Sequence, residues 1–469
     1  MTGRQQAKDH NGAPVLPTAT RESGNTTESS APRSTSRNNG TLLNGWDHSQ
    51  GSTPPKAKTS QNSSVESLPQ PQKPTKDQQT PRHGNGKISI RDRIQHLTWA
   101  WFTTTMSTGG LALALGQTPH RFRGLDTIGA AVFILDLVLF LLLVAGIATR
   151  FAAGPRGALK ASLTDPTEAF FFPTFMLSIS TIISNTQIYG QTHSTASWLP
   201  AALRVVFWMY AALALLVAIL LYLSLFTTPR VHATCTPAAA APNWVLPVFP
   251  AMLCGTLSGL LAPHQADPAA ALTMIVAGVS LQGLGWMVFC FVASLFLQRL
   301  FCGGLLPRDA RPAMFMMVGP PSFTALALVA NAKALPGAHA YFAVDHPGAI
   351  RDGLVVLATW TAVFLCVLVF RAGGAACAMG AGRGARWTPT WWAYVFPNVG
   401  FTVATVDLGE ELGSEAILWV GSAMTVLLVV MWLFVAGCQV RAVVNGMVLW
   451  PGRDEDRDEP QVKEGEKRC

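Results

Sequence analysis

Helix-breaking residues recur along this chain with the period of a membrane crossing. Five times, a segment of spanning length rich in Gly, Pro, Ser and Thr precedes one that is almost purely aliphatic. The third segment carries Phe172-Pro173, the fifth Phe249-Pro250, the seventh Pro320-Pro321 and the ninth Phe396-Pro397, while the first carries Gly109-Gly110. The even-numbered segments hold no proline in their apolar runs. Proline removes a backbone donor and kinks a helix. Inside a bilayer, freed backbone groups are tolerated only within protein or beside a water-filled cavity. The pattern therefore predicts two sets of five helices, an inner set lining a polar route and an outer set facing lipid.

Spanning a bilayer as a helix takes roughly 20 apolar residues. Ten such spans are expected at about 96–115, 126–149, 167–189, 199–228, 243–262, 270–298, 312–332, 351–371, 388–408 and 414–440. They form one membrane domain, 89–451, between two tails. Residues 1–88 are Ser, Thr, Pro, Gln, Asn and Gly without an apolar run, so the sequence predicts a disordered tail that cannot bury enough surface to offset ordering entropy. Residues 452–469 read as a short charged tail. No signal peptide is expected, because the N-terminus lacks an apolar core and a first spanning helix can direct insertion.

Short-loop cations set the expected orientation. Loops on the N-terminal side hold ten: Arg150, Arg156, Lys160, Arg230, Arg299, Arg308, Arg311, Arg371, Arg383 and Arg386. The opposite loops hold four, Arg121, Arg123, Lys333 and Arg351. Both termini are thus expected in the cytoplasm, where the sequons at Asn25, Asn39 and Asn62 would never meet the glycosylation machinery.

Other function classes fit poorly. The net charge of +8 comes with basic residues that flank membrane segments and are not interleaved with aromatics, so no nucleic-acid partner is expected. Eight cysteines form no CxxC pair, and several lie in apolar runs as small buried hydrophobes. The ten histidines fall in tails, loops or span edges, and Asp136 is the carboxylate of the span interiors. With no HExxH or GxSxG motif, neither an enzyme, a metal site nor a cofactor is expected. A receptor would need a folded signalling domain that neither tail can supply.

An aromatic-Pro core repeats in Phe171-Phe172-Pro173-Thr174-Phe175, Val248-Phe249-Pro250-Ala251-Met252 and Val395-Phe396-Pro397-Asn398-Val399, with Gly319-Pro320-Pro321-Ser322-Phe323 a looser variant. The repeated unit reads as a helical hairpin of one inner and one outer helix. His96-Leu97-Thr98-Trp99-Ala100-Trp101-Phe102 followed by Thr105-Met106-Ser107-Thr108-Gly109-Gly110 resembles the first helix of the fungal malate permeases. Those belong to the tellurite-resistance/dicarboxylate transporter family. Trp244-Val245-Leu246-Pro247-Val248-Phe249-Pro250, Gln282-Gly283-Leu284-Gly285, Arg311-Pro312-Ala313-Met314-Phe315, Val318-Gly319-Pro320-Pro321-Ser322-Phe323 and Tyr394-Val395-Phe396-Pro397-Asn398-Val399-Gly400-Phe401 extend the resemblance over about 88–452. It implies an all-α fold of ten transmembrane helices in five hairpins around a central path, shared with plant guard-cell slow anion channels. It further implies a homotrimer with one path per subunit, carrying malate and related four-carbon dicarboxylates such as succinate and fumarate across the fungal plasma membrane. Protons are a further candidate partner. The competing readings are a sulfite efflux pump or an anion channel of the same family, and the Pro-Pro-Ser-Phe motif looks like the malate branch.

A dicarboxylate path needs donors. The candidates are Thr103, Thr104, Thr105, Ser107, Thr108, Ser178, Ser180, Thr181, Ser322, Thr324, Asn398, Thr402 and Thr405, with Gln282 from the resemblance. Broken helices also aim free N–H groups at a cavity. The alternative for each hydroxyl is a bond to its own helix or a neighbour. Arg311 either clamps a carboxylate or anchors the near end of its span, and Lys333 either meets substrate or snorkels. In the related channels a pore phenylalanine plugs the path. The Tyr394-Val395-Phe396-Pro397 match assigns that gate to Phe396, shared with Phe172 and Phe249, against a plain packing role. Asp136 reads either as a proton relay or as an acid bonded to a neighbouring hydroxyl. Gly255-Thr256-Leu257-Ser258-Gly259 is a GxxxG match for close helix approach.

Overall fold

Apolar runs decide where this chain is helical, and its prolines decide where the helices start. The computed structural model describes residues 89–193, 197–336, 349–380 and 386–450, so both expected tails lie outside the described residues. Every regular element among them is helical. Ten helices have thirteen residues or more: α1 Phe102–Gly116, α2 Leu125–Ala153, α3 Pro173–His193, α4 Leu199–Thr227, α5 Phe249–Leu261, α6 Pro268–Gly303, α7 Gly319–Lys333, α8 Ala349–Gly380, α9 Phe396–Glu411 and α10 Glu415–Val444. Eight stretches are long and apolar enough to cross a membrane. The Thr/Ser/Gly-rich α1 and the acid-ended α9 are not among them. The chain is a multi-pass membrane protein of the all-α class.

The prolines act differently from the expectation. None of Pro173, Pro250, Pro320, Pro321 and Pro397 kinks the middle of a helix; each lies in the first turn of its α-helix. There the missing N–H is one that no carbonyl would have reached, and the fixed φ favours the helix. Pro242–Val248, Arg308–Val318 and Pro389–Tyr394 form 3₁₀ lead-ins to α5, α7 and α9, and Trp99–Trp101 precedes α1 in the same way. Thirteen residues of α-helix rise only about 20 Å, so these lead-ins supply the remaining length. Gly109 and Gly110 also depart from the expected break. Helix α1 runs through them without interruption, and both serve close packing instead.

Burial separates the two helix sets. In 18-residue windows, 72%, 89% and 78% of residues are buried within 166–190, 242–264 and 308–333, against 11% to 33% for the five even-numbered helices. Among the described residues, no large hydrophobic side chain is exposed on α1, α3, α5, α7 or α9, whereas Leu141, Met209, Phe291, Trp360 and Val426 stand out from the even-numbered helices. Water would penalise so much exposed apolar surface, and hydrocarbon does not.

The odd-numbered helices close a circle, packing in the order α1, α3, α5, α7, α9 and back to α1. Each even-numbered helix packs against the inner helix before it and the next one round, with α10 closing against α1. We call the end where the inner helices begin the near end. There Arg150, one of the cations counted for orientation, is buried and forms a bidentate pair with Glu168, also donating to the Leu97 carbonyl at 2.7 Å. This ties α2 to the entrance of α1.

Candidate transport path

Because α5 and α9 start only after a 3₁₀ lead-in, their first side chains are delivered to the centre of the circle. Phe249 opens α5 and Phe396 opens α9, and Phe323 joins them from the first turns of α7. Their centroids lie 5.7 Å apart for Phe249 and Phe323, 6.1 Å for Phe249 and Phe396, and 5.2 Å for Phe323 and Phe396. All three are 3% exposed or less. Each phenyl rests against a glycine of the next inner helix round. A Cβ on Gly319 would lie 3.0 Å from Phe249, one on Gly400 2.9 Å from Phe323, and one on Gly110 3.3 Å from Phe396. The result is a three-phenyl plug built by three glycine seats.

On the near side of the plug lies a narrow cavity of about 10 Å³, room for about one water molecule. All five inner spans line it, with Thr103, Thr174, Leu246, Met316, Ala393 and the undersides of Phe249 and Phe396 among its walls. No charged side chain lines it. Its hydroxyls are engaged: Thr103 donates to the Ala100 and Pro389 carbonyls, and Thr174 to those of Trp99 and Phe171.

Many of the donors read from the sequence lie between helices. Thr104 and Thr108 face α10, where Gln439 and the Trp432 indole bond them. Thr105 meets Ser178 of α3 at 2.7 Å, and Ser107 donates to the Trp392 carbonyl. Ser180, Thr181, Ser322, Thr324, Asn398 and Thr402 donate to carbonyls of their own helices or lead-ins. Gln282 sits on the outer helix α6, where its amide donates to Thr324 at 2.7 Å, so it stays behind the circle and not on the axis. Phe172 packs edge-on against Trp99 at 4.8 Å, in an aromatic group apart from the plug.

The cations stand at the two ends. Half-buried Arg311, in the lead-in to α7, donates through Nε to the Leu306 carbonyl. Lys333 closes α7 at the far end, paired with Glu411 at 3.0 Å and Glu410 at 3.5 Å, and its own carbonyl accepts from Arg351. Asp407, Glu410 and Glu411 gather around Lys333 at the far end of α9, a cluster the sequence reading did not single out.

One buried pattern occurs twice, offset by 146 positions. Asn185 donates to the Gly109 carbonyl at 2.8 Å, and Asn331 to the Gly255 carbonyl at 2.7 Å. Asp136 of α2 packs against Gly109 as Gln282 of α6 packs against Gly255. The hairpin pairs α1–α2 and α5–α6 are therefore copies in register, each tied to the following inner helix by the same Gly–Asn bond. This accounts for Gly255 in the GxxxG match: it admits Gln282 and Ala327.

The five inner helices thus close a circle with the three phenyls at its centre. The family model described as voltage-dependent anion channel matches residues 96–440, the membrane part described above. The chain belongs to the voltage-dependent anion channel family. Among curated relatives of this family member, the malic acid transport protein of Schizosaccharomyces pombe is 33% identical over 80% of this chain and 84% of its own length. A second protein of that yeast is 34% identical over 79% of this chain and 85% of its own length. A sulfite efflux pump of Trichophyton rubrum is more distant, at 24% identity over 71% of this chain and 88% of its own length.

Proposed function

We propose that this chain carries malate and related four-carbon dicarboxylates, succinate and fumarate among them, across the fungal plasma membrane. It works as a homotrimer with one path per subunit and both termini in the cytoplasm. The observation that carries the reading is the axial three-phenyl plug inside a closed circle of five helices, in a chain whose malic acid transport relative is markedly more similar than its sulfite relative. The narrow near-end cavity marks the route to the plug and is too small to hold a dicarboxylate in the closed state. Its apolar walls disfavour a hydrated anion until the phenyls move, because desolvating a carboxylate without new partners costs several kcal/mol or more. When they move, the first-turn N–H groups of α5, α7 and α9 face the axis with the positive ends of three helix dipoles. Arg311 serves the near end as an attractor for dianions. The main-chain donors and dipoles carry the selectivity, and the engaged hydroxyls hold the helices in place.

The test is uptake of labelled malate by liposomes holding the purified full chain. Uptake above protein-free liposomes, competed by succinate and fumarate and little affected by sulfite, supports the reading. Competition by sulfite with no malate uptake would favour the sulfite-pump alternative.

A further inference from the structure

Asp136 lies near the middle of α2, fully buried, and neither carboxyl oxygen has a hydrogen-bond partner among the described residues. Among the described residues no cation pairs with it. Of the elements packed against α2, α1 carries no ionisable side chain. Helix α3 carries Tyr189, whose hydroxyl donates to the Ala112 carbonyl, and His193 at its last residue. The short helix Ile90–Gln95 carries Arg91, Asp92 and Arg93, and Arg93 donates to the Val443 carbonyl. A carboxylate in such a place would have no compensating partner among the described residues.

The internal repeat supports the neutral form. Gln282, the counterpart of Asp136, is a neutral donor and gives its hydrogen bond to Thr324. On the Asp136 side, two acceptors have spare capacity. The Thr181 hydroxyl spends its proton on the Ser178 carbonyl, and the side-chain oxygen of Asn185 has no partner. A protonated Asp136 has the hydrogen that this interface can accept.

The acid also reaches the plug. A Cβ on Gly109 would fall 2.6 Å from Asp136 Oδ2 and 2.5 Å from Thr181 Oγ1, so both groups press on that residue. The next residue, Gly110, is the seat of Phe396, and its Cβ would also fall 3.1 Å from Val399. Two consecutive residues of α1 thus touch the buried acid on one side and the plug on the other.

We propose that Asp136 is a proton-binding positioning residue that holds Phe396 on its seat through Gly109 and Gly110; this rests on the plug being the barrier to anions. In the closed state the acid is neutral and α1 packs tightly between α2 and Phe396. On release, the O–H bond breaks, the electron pair stays on the carboxylate and the proton passes to water. The charge then draws water and donors into the interface, shifts α1 at Gly109 and withdraws the seat from Phe396.

Two measurements on the full chain in liposomes decide this. The first is the infrared difference spectrum between Asp136→Asn and the unsubstituted chain at neutral pH. Loss of a protonated-carboxyl C=O band is expected, and its absence overturns the proposal. This arm does not depend on the substrate, so a chain that carried no malate would count against the proposed function and leave the proton site decided. The second is malate flux across a pH range in which malate stays fully ionised. Flux should rise with pH by about fivefold or more in the unsubstituted chain. It should be flat in Asp136→Asn and flat in Phe396→Ala, with no further change in the double substitution. An unchanged pH profile in Asp136→Asn overturns the coupling, and so does a flat profile in the unsubstituted chain.

Discussion

Phe323 shows how a side chain of the central phenyl cluster can be quoted and still be missed. It ends the Pro-Pro-Ser-Phe motif, yet equating the spans by their Phe-Pro pairs points to Phe172, Phe249 and Phe396. Local position in a motif does not fix depth along the axis. Phe172 lies before its helix starts and faces Trp99, while Phe323 lies one turn inside α7 and so reaches the level of the other two. The threonines are spread for a related reason: Thr103 borders the axial cavity while Thr104, Thr105 and Thr108 turn to neighbouring helices, and composition tells only that a helix is polar, not which face turns to the axis. Truncating a plug residue has two opposite effects. A buried phenylalanine cut to alanine costs about 3–5 kcal/mol in a packed core, but here the same change removes the barrier. We expect Phe323→Ala and Phe396→Ala each to raise malate flux per inserted molecule several-fold, with a lowered melting temperature. Phe172→Ala should lower stability alone. Flux counted per molecule against thermal unfolding of each variant separates the two effects, and unchanged flux in both plug variants would assign the phenyls to packing.

At the scale of helices, the alternation of broken and aliphatic spans was legible because it follows from backbone chemistry. The role of the prolines was not. A proline that kinks a helix and one that starts it at mid-depth read alike, and only the 3₁₀ lead-ins separate the cases. The 146-residue register was likewise hidden, since its members are Gly, Asn and a polar residue scattered over three helices. That register makes a sharp prediction about close packing. A Cβ on Gly255 would meet Gln282 at 2.7 Å and Ala327 at 3.1 Å, and one on Gly109 meets Thr181 and Asp136 closer still. Overpacking of this kind costs about 1–3 kcal/mol. Gly283, also helical, has nothing within 4 Å, and there alanine should gain the roughly 0.5–1 kcal/mol of restored helix propensity. Thermal unfolding in detergent should therefore rank Gly283→Ala at or above the unsubstituted chain, and Gly109→Ala and Gly255→Ala clearly below it. Equal melting temperatures for the three would show that the helices separate easily at these contacts.

For the whole molecule, what surrounds the protein matters as much as its contacts. Cys290 on α6 is exposed in the structure, next to Phe291 and one turn from Met287, both far out of the protein surface. Thr103 is buried, yet it borders the axial cavity. If the outer helices face hydrocarbon and the circle encloses the path, exposure and contact with water run opposite ways. A spin label on Cys290 should then collide freely with oxygen dissolved in lipid and hardly at all with a water-soluble nickel chelate. A label at Thr103→Cys, in a chain freed of its other cysteines and opened by Phe396→Ala, should show the reverse. The even-numbered helices hold apolar residues all round and few polar partners, so water at Cys290 would leave Phe291, Met287 and their neighbours with no favourable surroundings. Strong chelate contact at Cys290 in the liposome-bound protein would mean that α6 lines an aqueous surface, and the division into five inner and five outer helices would fail with it.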